Sequence, residues 1–252
     1  MLKLPEEEKK LSDISQLRQQ LRSLERAGGQ VRAAYSFGLP RLDLALGGGL
    51  ATGCLHEVIG AAGDGAATGF VAALAAGLVN REGAVLWCLP RPDLYGPGLA
   101  AAGLDVSRLI LAAAERAADC LWAMEEGARS GALAAVVGEV DKLSLTAARR
   151  LQLASETGGV TSFLLRTGVP ADGAAAIAVT RWRIAAAPGG AGINGQPWPE
   201  VSCWQAELLR CRGGRPGTWF LSWHEGAWRH AAGDLAVAAP FCDGPAAAEA
   251  GA

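Results

Sequence analysis

The sequence has few histidines and few cysteines, the residues that build zinc sites and disulfide bonds. Only three histidines are present, and the six cysteines form no Cys-x-x-Cys pair. Neither a zinc site nor a disulfide framework is therefore supported. Half of the residues are hydrophobic, yet no run of about 18 apolar residues is free of Gly, polar or charged interruptions. Residues 1–8 lack the apolar core of a signal peptide. We therefore expect a cytoplasmic protein with no membrane span and no metal site, long enough at 252 residues for one large domain.

Lysine is also scarce, and its absence decides how one glycine-rich loop is interpreted. Residues 55–70 are typical of a strand, a turn and a helix start, and Gly60 and Gly65 have the spacing of a phosphate-binding loop. In such a loop, backbone N–H groups cradle phosphates, a following Lys neutralises them, and a Ser or Thr hydroxyl holds Mg²⁺. Those two positions are Ala66 and Ala67 here, and the lysines of the chain lie far away, at positions 3, 9, 10 and 142.

No neighbouring residue restores the missing groups. Thr68 lies one residue beyond the hydroxyl position, a rotation of about 100° on a helix, so its hydroxyl would face away from a metal. Asp64 adds negative charge where phosphate would approach. The degenerate phosphate loop comprises Gly60, Gly63, Gly65, Ala66, Ala67 and Thr68. We expect no cofactor, although a helix N-terminus attracts anions and leaves weak binding of ATP or phosphate open.

Strands and helices alternate along the centre of the chain. A strand is expected at 54–59, apolar runs of strand length lie at 84–89, 109–112, 134–138 and 161–165, and helical patterns lie at 66–79, 119–129 and 145–157. This alternation predicts an α/β fold with a doubly wound parallel sheet. The helix at 66–79 is apolar around its whole circumference, so we expect other elements to cover it on most sides.

The patterns divide the chain into four segments. We expect a helical arm at 1–29, an α/β core at 30–168, a β-rich extension of the core at 169–230 and a disordered tail at 231–252. In the extension we expect strands at 174–184 and 203–210. A turn at 213–217 predicts an antiparallel hairpin, and residues 186–200 are expected to form a long loop. The arm carries Leu17, Leu21 and Leu24 on one stripe, which packs on its own domain or binds a partner.

The second half of the chain is locally basic, although the net charge is −2. Nine arginines and five acidic residues lie between positions 149 and 230. A candidate surface for single-stranded DNA or a protein partner comprises Arg149, Arg150, Arg181, Arg183, Arg210 and Arg212. Arg149 and Arg150 are equally explained as solvated charges. Trp204, Trp219 and Trp223 would either stack on bases or cover one face of a sheet, and both interpretations stay open.

Several stretches of the chain carry a resemblance to a known family. They are Gly60-Ala-Ala-Gly-Asp-Gly-Ala-Ala-Thr-Gly-Phe, Val85-Leu-Trp-Cys, Asp93-Leu-Tyr-Gly-Pro-Gly-Leu, Leu121-Trp-Ala-Met-Glu-Glu-Gly, Arg149-Arg-Leu-Gln-Leu-Ala, Thr180-Arg-Trp-Arg and Glu207-Leu-Leu-Arg-Cys-Arg-Gly-Gly. In this order they resemble the ImuA family of RecA-like damage-inducible mutagenesis proteins, and the resemblance covers residues 36 to about 228. The resemblance implies a RecA-like P-loop NTPase core with a degenerate phosphate loop, an N-terminal helix and a C-terminal antiparallel β extension.

The resemblance also allows a comparison with an active RecA-type ATPase. The carboxylate that would polarise the attacking water falls near Pro90 and Arg91. Glu139 falls where the metal-associated Asp normally lies and is a vestigial acidic position. The γ-phosphate-sensing Gln is replaced around Arg166. Because phosphoryl transfer depends on positioning and charge neutralisation, we expect no ATP hydrolysis and hence no enzyme.

By the same resemblance, the chain is expected to be a non-catalytic accessory protein of SOS-induced error-prone translesion synthesis. The implied partners are a Y-family-like polymerase homologue of the ImuB type, a C-family error-prone polymerase and RecA, with single-stranded DNA as a further candidate. Three alternatives stay open. They are an ATP-dependent RecA-type DNA-binding ATPase, a cell-division inhibitor of the SOS response, and a stand-alone single-strand binder.

Overall fold

A nine-stranded sheet runs through the computed structural model, which describes residues 33–79, 83–168, 177–187 and 202–231. Its strands are β3 Leu55–Gly60, β4 Ala84–Leu89, β5 Leu109–Ala113, β6 Leu133–Glu139, β7 Thr161–Thr167, β8 Thr180–Ala186, β9 Cys203–Cys211, β10 Gly217–His224 and β11 Ala227–His230. Two short strands, β1 Ala34–Tyr35 and β2 Leu50–Ala51, form a separate antiparallel pair. The helices are α1 Pro40–Ala45, α2 Ala66–Leu78, α3 Gly96–Ala101, α4 Ala117–Arg129 and α5 Leu145–Gly158, with a 3-10 turn at Val106–Arg108.

The sheet is parallel through its centre and antiparallel at one end. The strand order is β11-β10-β9-β8-β3-β7-β6-β4-β5. The strands from β8 to β5 in this order are all parallel, whereas β9, β10 and β11 pair antiparallel with their neighbours. The predicted α/β class and the mostly parallel sheet are confirmed, and the predicted antiparallel hairpin continues the same sheet.

Helices cover the two faces of the sheet and divide the core into two clusters. On one face, α2 and α3 pack with apolar side chains from β3, β4 and β8 to β11. On the other face, α4 and α5 pack over β3, β4, β6 and β7. Parallel strands covered on both faces need apolar residues at successive positions, which explains why β4, β6 and β7 appear in the sequence as continuous apolar runs.

The antiparallel end of the sheet packs against α2 through tryptophans. The Phe70 ring on α2 lies 5.8 Å from the ring of Trp204 on β9 and 5.3 Å from that of Trp228 on β11. Nine of the 13 residues of α2 are buried. The expectation that this helix is covered on most sides is therefore confirmed, because side chains of the parallel strands and tryptophans of the extension belong to the same core cluster as α2.

Some predicted boundaries differ from the structure. The strand predicted at 174–184 begins only at Thr180, because Ile177–Val179 form a turn whose apolar side chains pack against the core. β11 and α3 were not predicted. β11 follows a two-residue turn at Glu225 and Gly226, whose φ angles of 51° and 77° suit a tight hairpin. The helical arm with Leu17, Leu21 and Leu24, most of the 186–200 loop and the tail after 231 lie outside the described residues.

Candidate functional site

The glycine-rich loop lies between the carboxyl end of β3 and the first turn of α2. Gly63 and Gly65 have φ angles of 79° and 64°, a left-handed conformation that glycine adopts without strain, and Gly65 is the N-cap of α2. Ala66 and Ala67 are buried, with 7% and 5% of their surface exposed. The side chains at the predicted lysine and hydroxyl positions therefore point into the protein. Thr68, one residue further, is half-buried.

Gly60 and Ala67 are packed so closely that only small residues fit. A Cβ atom added at Gly60 would lie 2.6 Å from the Cβ atom of Ala67. The end of β3 and the first turn of α2 therefore meet through one methyl group, that of Ala67.

Gly60→Ala is expected to lower the free energy of unfolding by about 1–3 kcal/mol, because the added methyl group overpacks this contact. Adding Ala67→Gly removes the opposing methyl group and should recover most of the loss, less a cost of up to about 1 kcal/mol for glycine in a helix. Urea unfolding of both variants measures this. Equal loss in the single and double variants would show that the contact with Ala67 is not the cause.

A carboxylate of the loop itself binds the start of α2. Oδ1 of Asp64 accepts a hydrogen bond of 2.9 Å from the backbone N–H of Ala66. This N–H belongs to the first turn of a helix, where the partial positive charge attracts anions. The first anionic group at this helix end is thus an aspartate of the same chain, and an approaching phosphate would meet its negative charge.

Glu139 lies at the end of β6, at the same edge of the sheet as the loop. Its Oε1 accepts a hydrogen bond of 2.9 Å from the indole Nε1–H of Trp87 on β4. Burial raises the pKa of Glu139, and the neighbouring charges of Asp93 and Asp141 raise it further. A raised pKa disfavours the ionised carboxylate that would help to hold a metal. In the described parts of the chain, no group of three or more His, Cys, Asp or Glu side chains could hold a metal ion.

Glu139→Gln is expected to raise the free energy of unfolding at pH 7 by about 1 kcal/mol or less, because solvent screens a partly exposed carboxyl group. Its pKa is raised in the folded protein, so ionisation costs stability at high pH, and the amide avoids that cost. The gain should vanish as the pH falls below the ordinary glutamate value of 4.5, where the carboxyl group is protonated in both states. Urea unfolding across this pH range measures it, and a gain independent of pH would contradict the prediction.

The segment after β4 carries the positions where the resemblance placed the lost water-polarising carboxylate. Pro90 and Arg91 are both exposed and follow the strand directly. Asp93, three residues after Pro90, lies near enough to raise the pKa of Glu139. The structure therefore brings an acidic residue to this edge that sequence reasoning missed, because it does not directly follow the strand.

Arg166 belongs to a buried ionic cluster on the sheet face opposite α2. Its Nη1 lies 2.9 Å from Oε1 of Glu57 on β3, and only 1% of each residue is exposed. Nε of Arg181 on β8 lies 3.1 Å from the other carboxylate oxygen of Glu57. Arg166 also donates from Nε and Nη2 to the backbone oxygen of Asp141. This guanidinium therefore joins β3, β7 and the segment after β6, and it is directed away from the glycine-rich loop.

The candidate arginines are only partly brought together. Arg181 and Arg210 are cross-strand partners on β8 and β9. Arg183, also on β8, pairs with Glu207 at 2.7 Å, and Arg150 on α5 pairs with Glu125 on α4 at 2.6 Å. Ion pairs of this kind reduce the positive charge available to a nucleic acid.

The remaining two candidate arginines, Arg212 and Arg149, lie at separate places. Arg212 is exposed just after β9 and donates from Nη2 to the backbone oxygen of Ile177 at 3.3 Å. Arg149 is exposed on α5.

The tryptophans of the extension that the structure describes are core residues. Trp204, Trp219 and Trp223 are buried, with 2%, 9% and 7% of their surfaces exposed, and they pack in the cluster around α2. The packing interpretation is therefore confirmed for these three side chains, whose faces are not available to stack on bases. Trp122 on α4 is the exposed tryptophan of the described region, at 63%.

His56 is a hydrogen-bonded core residue. Its Nε2 lies 2.8 Å from the backbone oxygen of Ala51 and its Nδ1 lies 2.7 Å from Oγ1 of Thr180. A carbonyl oxygen can only accept, so Nε2 carries a proton. This buried imidazole connects β3 to β2 and β8.

Comparison with known proteins identifies relatives of this chain. No family model matches the chain. It is 40% identical over 208 residues to the proteins named Protein ImuA from two strains of Caulobacter vibrioides, NA1000 / CB15N and ATCC 19089, covering 75% of this chain and 83% of each relative. The chain belongs to the ImuA family. The resemblance seen in the sequence is thereby confirmed, and ImuA membership associates the chain with damage-inducible mutagenesis.

Among solved structures, the chain is similar to SulA from Pseudomonas aeruginosa. The match has a TM-score of 0.40 at 26% sequence identity and covers 45% of this ImuA-family chain and 98% of the SulA chain. Among the residues that the structure describes, no helix is long and apolar enough to cross a membrane.

Proposed function

We propose that this ImuA-family protein is a non-catalytic, RecA-like accessory protein of SOS-induced error-prone translesion synthesis, acting in the cytoplasm through contacts with other proteins. The observation that carries the proposal is the 40% identity to ImuA over most of both chains. Its partners in this proposal are a Y-family-like polymerase homologue of the ImuB type, a C-family error-prone polymerase and RecA. Single-stranded DNA is a further candidate ligand.

The sheet supports a RecA-like core. The strand that carries the glycine-rich loop, β3, lies between β7 and β8, and β6 with Glu139 lies one strand beyond β7. The carboxyl ends of these parallel strands meet at one edge, where open α/β sheets bind their ligands. The location of the loop and of Glu139 at this edge supports the proposal that the core is RecA-like.

The side chains at that edge support a non-catalytic role. The buried methyl groups of Ala66 and Ala67 supply neither a cation nor a hydroxyl group, and Asp64 binds the first turn of α2. Catalysis of phosphoryl transfer depends on neutralising developing charge, which these residues cannot do. We propose that the loop is a structural turn and that outer surfaces of the same core bind partners.

Co-purification tests the partner part of the proposal. The full chain should co-purify with the ImuB-type homologue or the C-family polymerase without added nucleotide. Two truncations, lacking residues 1–28 and residues 231–252, locate the interface. Loss of the complex in the first truncation would assign binding to the Leu17, Leu21 and Leu24 stripe, whereas binding by both truncations would assign it to the core or the extension. Failure of the full chain to bind any of the candidate proteins would contradict the proposal.

Salt dependence and charge reversal separate a DNA-binding role from a protein-binding role. If single-stranded DNA is a ligand, its affinity should fall steeply as salt is raised, because binding releases counterions. Charge reversal at Arg212, which is exposed, should weaken binding more than reversal at Arg181, whose guanidinium faces the buried Glu57. Fluorescence anisotropy with a labelled oligonucleotide measures both effects. Affinity that is independent of salt would exclude phosphate contacts as its source.

A further inference from the structure

The two ends of the nine-stranded sheet differ in chemistry. At one end, β11 contains Arg229 and His230. At the other end, β5 contains only Leu, Ile and Ala over Leu109–Ala113. Natural edge strands usually carry charged residues, because unpaired backbone groups otherwise attract another strand. An uncharged edge strand therefore indicates a place where a further strand binds.

The backbone of β5 directs hydrogen-bonding groups outward from the sheet. Ala114 donates its N–H to the oxygen of Leu89 on β4 at 2.9 Å. Because N–H and C=O of one residue point to the same side, and sides alternate along a strand, Leu111 and Ala113 direct both groups away from β4. Leu109 directs its C=O the same way, while its N–H donates to the oxygen of Val106.

The side chains of this edge are apolar on both faces. Ile110 is 50% exposed and Leu111 is 48% exposed, and as successive strand residues they lie on opposite faces of the sheet. Val106, just before the strand, is 47% exposed. An added strand would cover both faces at once, which a single helix could not do.

We propose that β5 pairs with β5 of a second copy of this chain, antiparallel and around a two-fold axis at Leu111, so that two sheets join into one. The N–H and C=O of Leu111 would bond the C=O and N–H of the partner's Leu111. The N–H of Ala113 would bond the C=O of the partner's Leu109, and the symmetry repeats this bond. In this register, every N–H and C=O group that β5 directs away from β4 forms a hydrogen bond, except the C=O of Ala113.

The charges around β5 favour a second copy as the occupant. The strand itself is uncharged, and both flanking segments carry charges of both signs: Asp105 lies 3.7 Å from Arg108 before it, and Glu115 and Arg116 follow it, with Arg116 paired to Asp119 at 2.7 Å. Antiparallel pairing brings the leading segment of one copy beside the trailing segment of the other, so two segments of mixed charge meet and no block of like charge opposes the contact. One surface that meets itself about a two-fold axis is the commonest arrangement of protein dimers.

Matched substitutions test the interface. Sedimentation velocity of the full chain over a range of concentrations should show a monomer–dimer equilibrium. Leu111→Glu places two carboxylates opposite each other at the axis and should weaken the dimer by about tenfold or more. Leu153→Glu, at a 60% exposed leucine on α5, is the control and should leave the dimer unchanged. A urea unfolding curve for each variant checks that it is folded.

Cross-linking tests the register. Opposed residues of an antiparallel hydrogen-bonded pair have Cα atoms about 5.5 Å apart, within the range of a disulfide. Leu111→Cys, treated with oxidised glutathione, should therefore form a disulfide-linked dimer with release of two molecules of reduced glutathione. Leu153→Cys and the unchanged chain should not. A chain that stays monomeric, a dimer that persists in Leu111→Glu, or equal cross-linking through Leu153→Cys would each overturn the proposal.

Discussion

Replacing Arg166 by Met is expected to lower the free energy of unfolding by about 3–5 kcal/mol, the usual cost of leaving one member of a buried ion pair uncompensated. Arg166 and Glu57 are each only 1% exposed and lie 2.9 Å apart on neighbouring strands. Without Arg166, Glu57 keeps Arg181 at 3.1 Å but loses its fully buried partner. Urea unfolding followed by far-UV circular dichroism measures the loss.

The matched control is Arg183→Met, at an exposed pair with Glu207. Such pairs contribute about 0–1 kcal/mol, because water screens them. Adding Glu57→Gln to Arg166→Met should recover part of the loss, because the buried negative charge is removed. Equal effects of Arg166→Met and Arg183→Met would mean that burial does not determine the energy of these pairs.

Phe70→Ala is expected to cost about 3–5 kcal/mol, the range for a large aromatic residue removed from a core. Phe70 is fully buried on α2. Its ring lies within 5.9 Å of Trp182, 5.8 Å of Trp204 and 5.3 Å of Trp228. The substitution would open a cavity between α2 and the tryptophans of β8, β9 and β11.

Phe220→Ala, at a half-buried position on β10, is the control for the same change of side chain. It should cost clearly less, because less apolar surface is lost and no enclosed cavity forms. Tryptophan fluorescence during urea unfolding reports both. If the two variants lost the same stability, Phe70 would not anchor the extension to α2.

The α/β architecture could be predicted because buried parallel strands leave an unmistakable pattern. The apolar runs in β4, β6 and β7 and the almost wholly apolar helix α2 correspond to elements covered on both sides. The Trp204, Trp219 and Trp223 pattern did not decide between packing and DNA binding, because alternation in a strand shows only that these side chains share a face. Only the burial of these side chains in the cluster around α2 shows that this face is covered.

The candidate site was predictable in its loop and less so in its surroundings. The spacing of Gly60 and Gly65, followed by two alanines, is a local signal. Glu57 gave no such signal, because its partner Arg166 lies 109 positions away along the chain. The hydrogen bond from Trp87 to Glu139 likewise joins distant segments, at a separation of 52 positions.

Nucleotide binding and turnover measured on the same preparation test the central claim most directly. The claim is that the loop keeps the geometry of a nucleotide site while Ala66 and Ala67 lack its chemistry. Calorimetric titration of the full chain with ATP and Mg²⁺ should show at most weak binding, and phosphate release should not exceed the blank, with or without single-stranded DNA. Micromolar ATP affinity with Mg²⁺-dependent turnover would contradict the account and favour an ATP-dependent RecA-type enzyme.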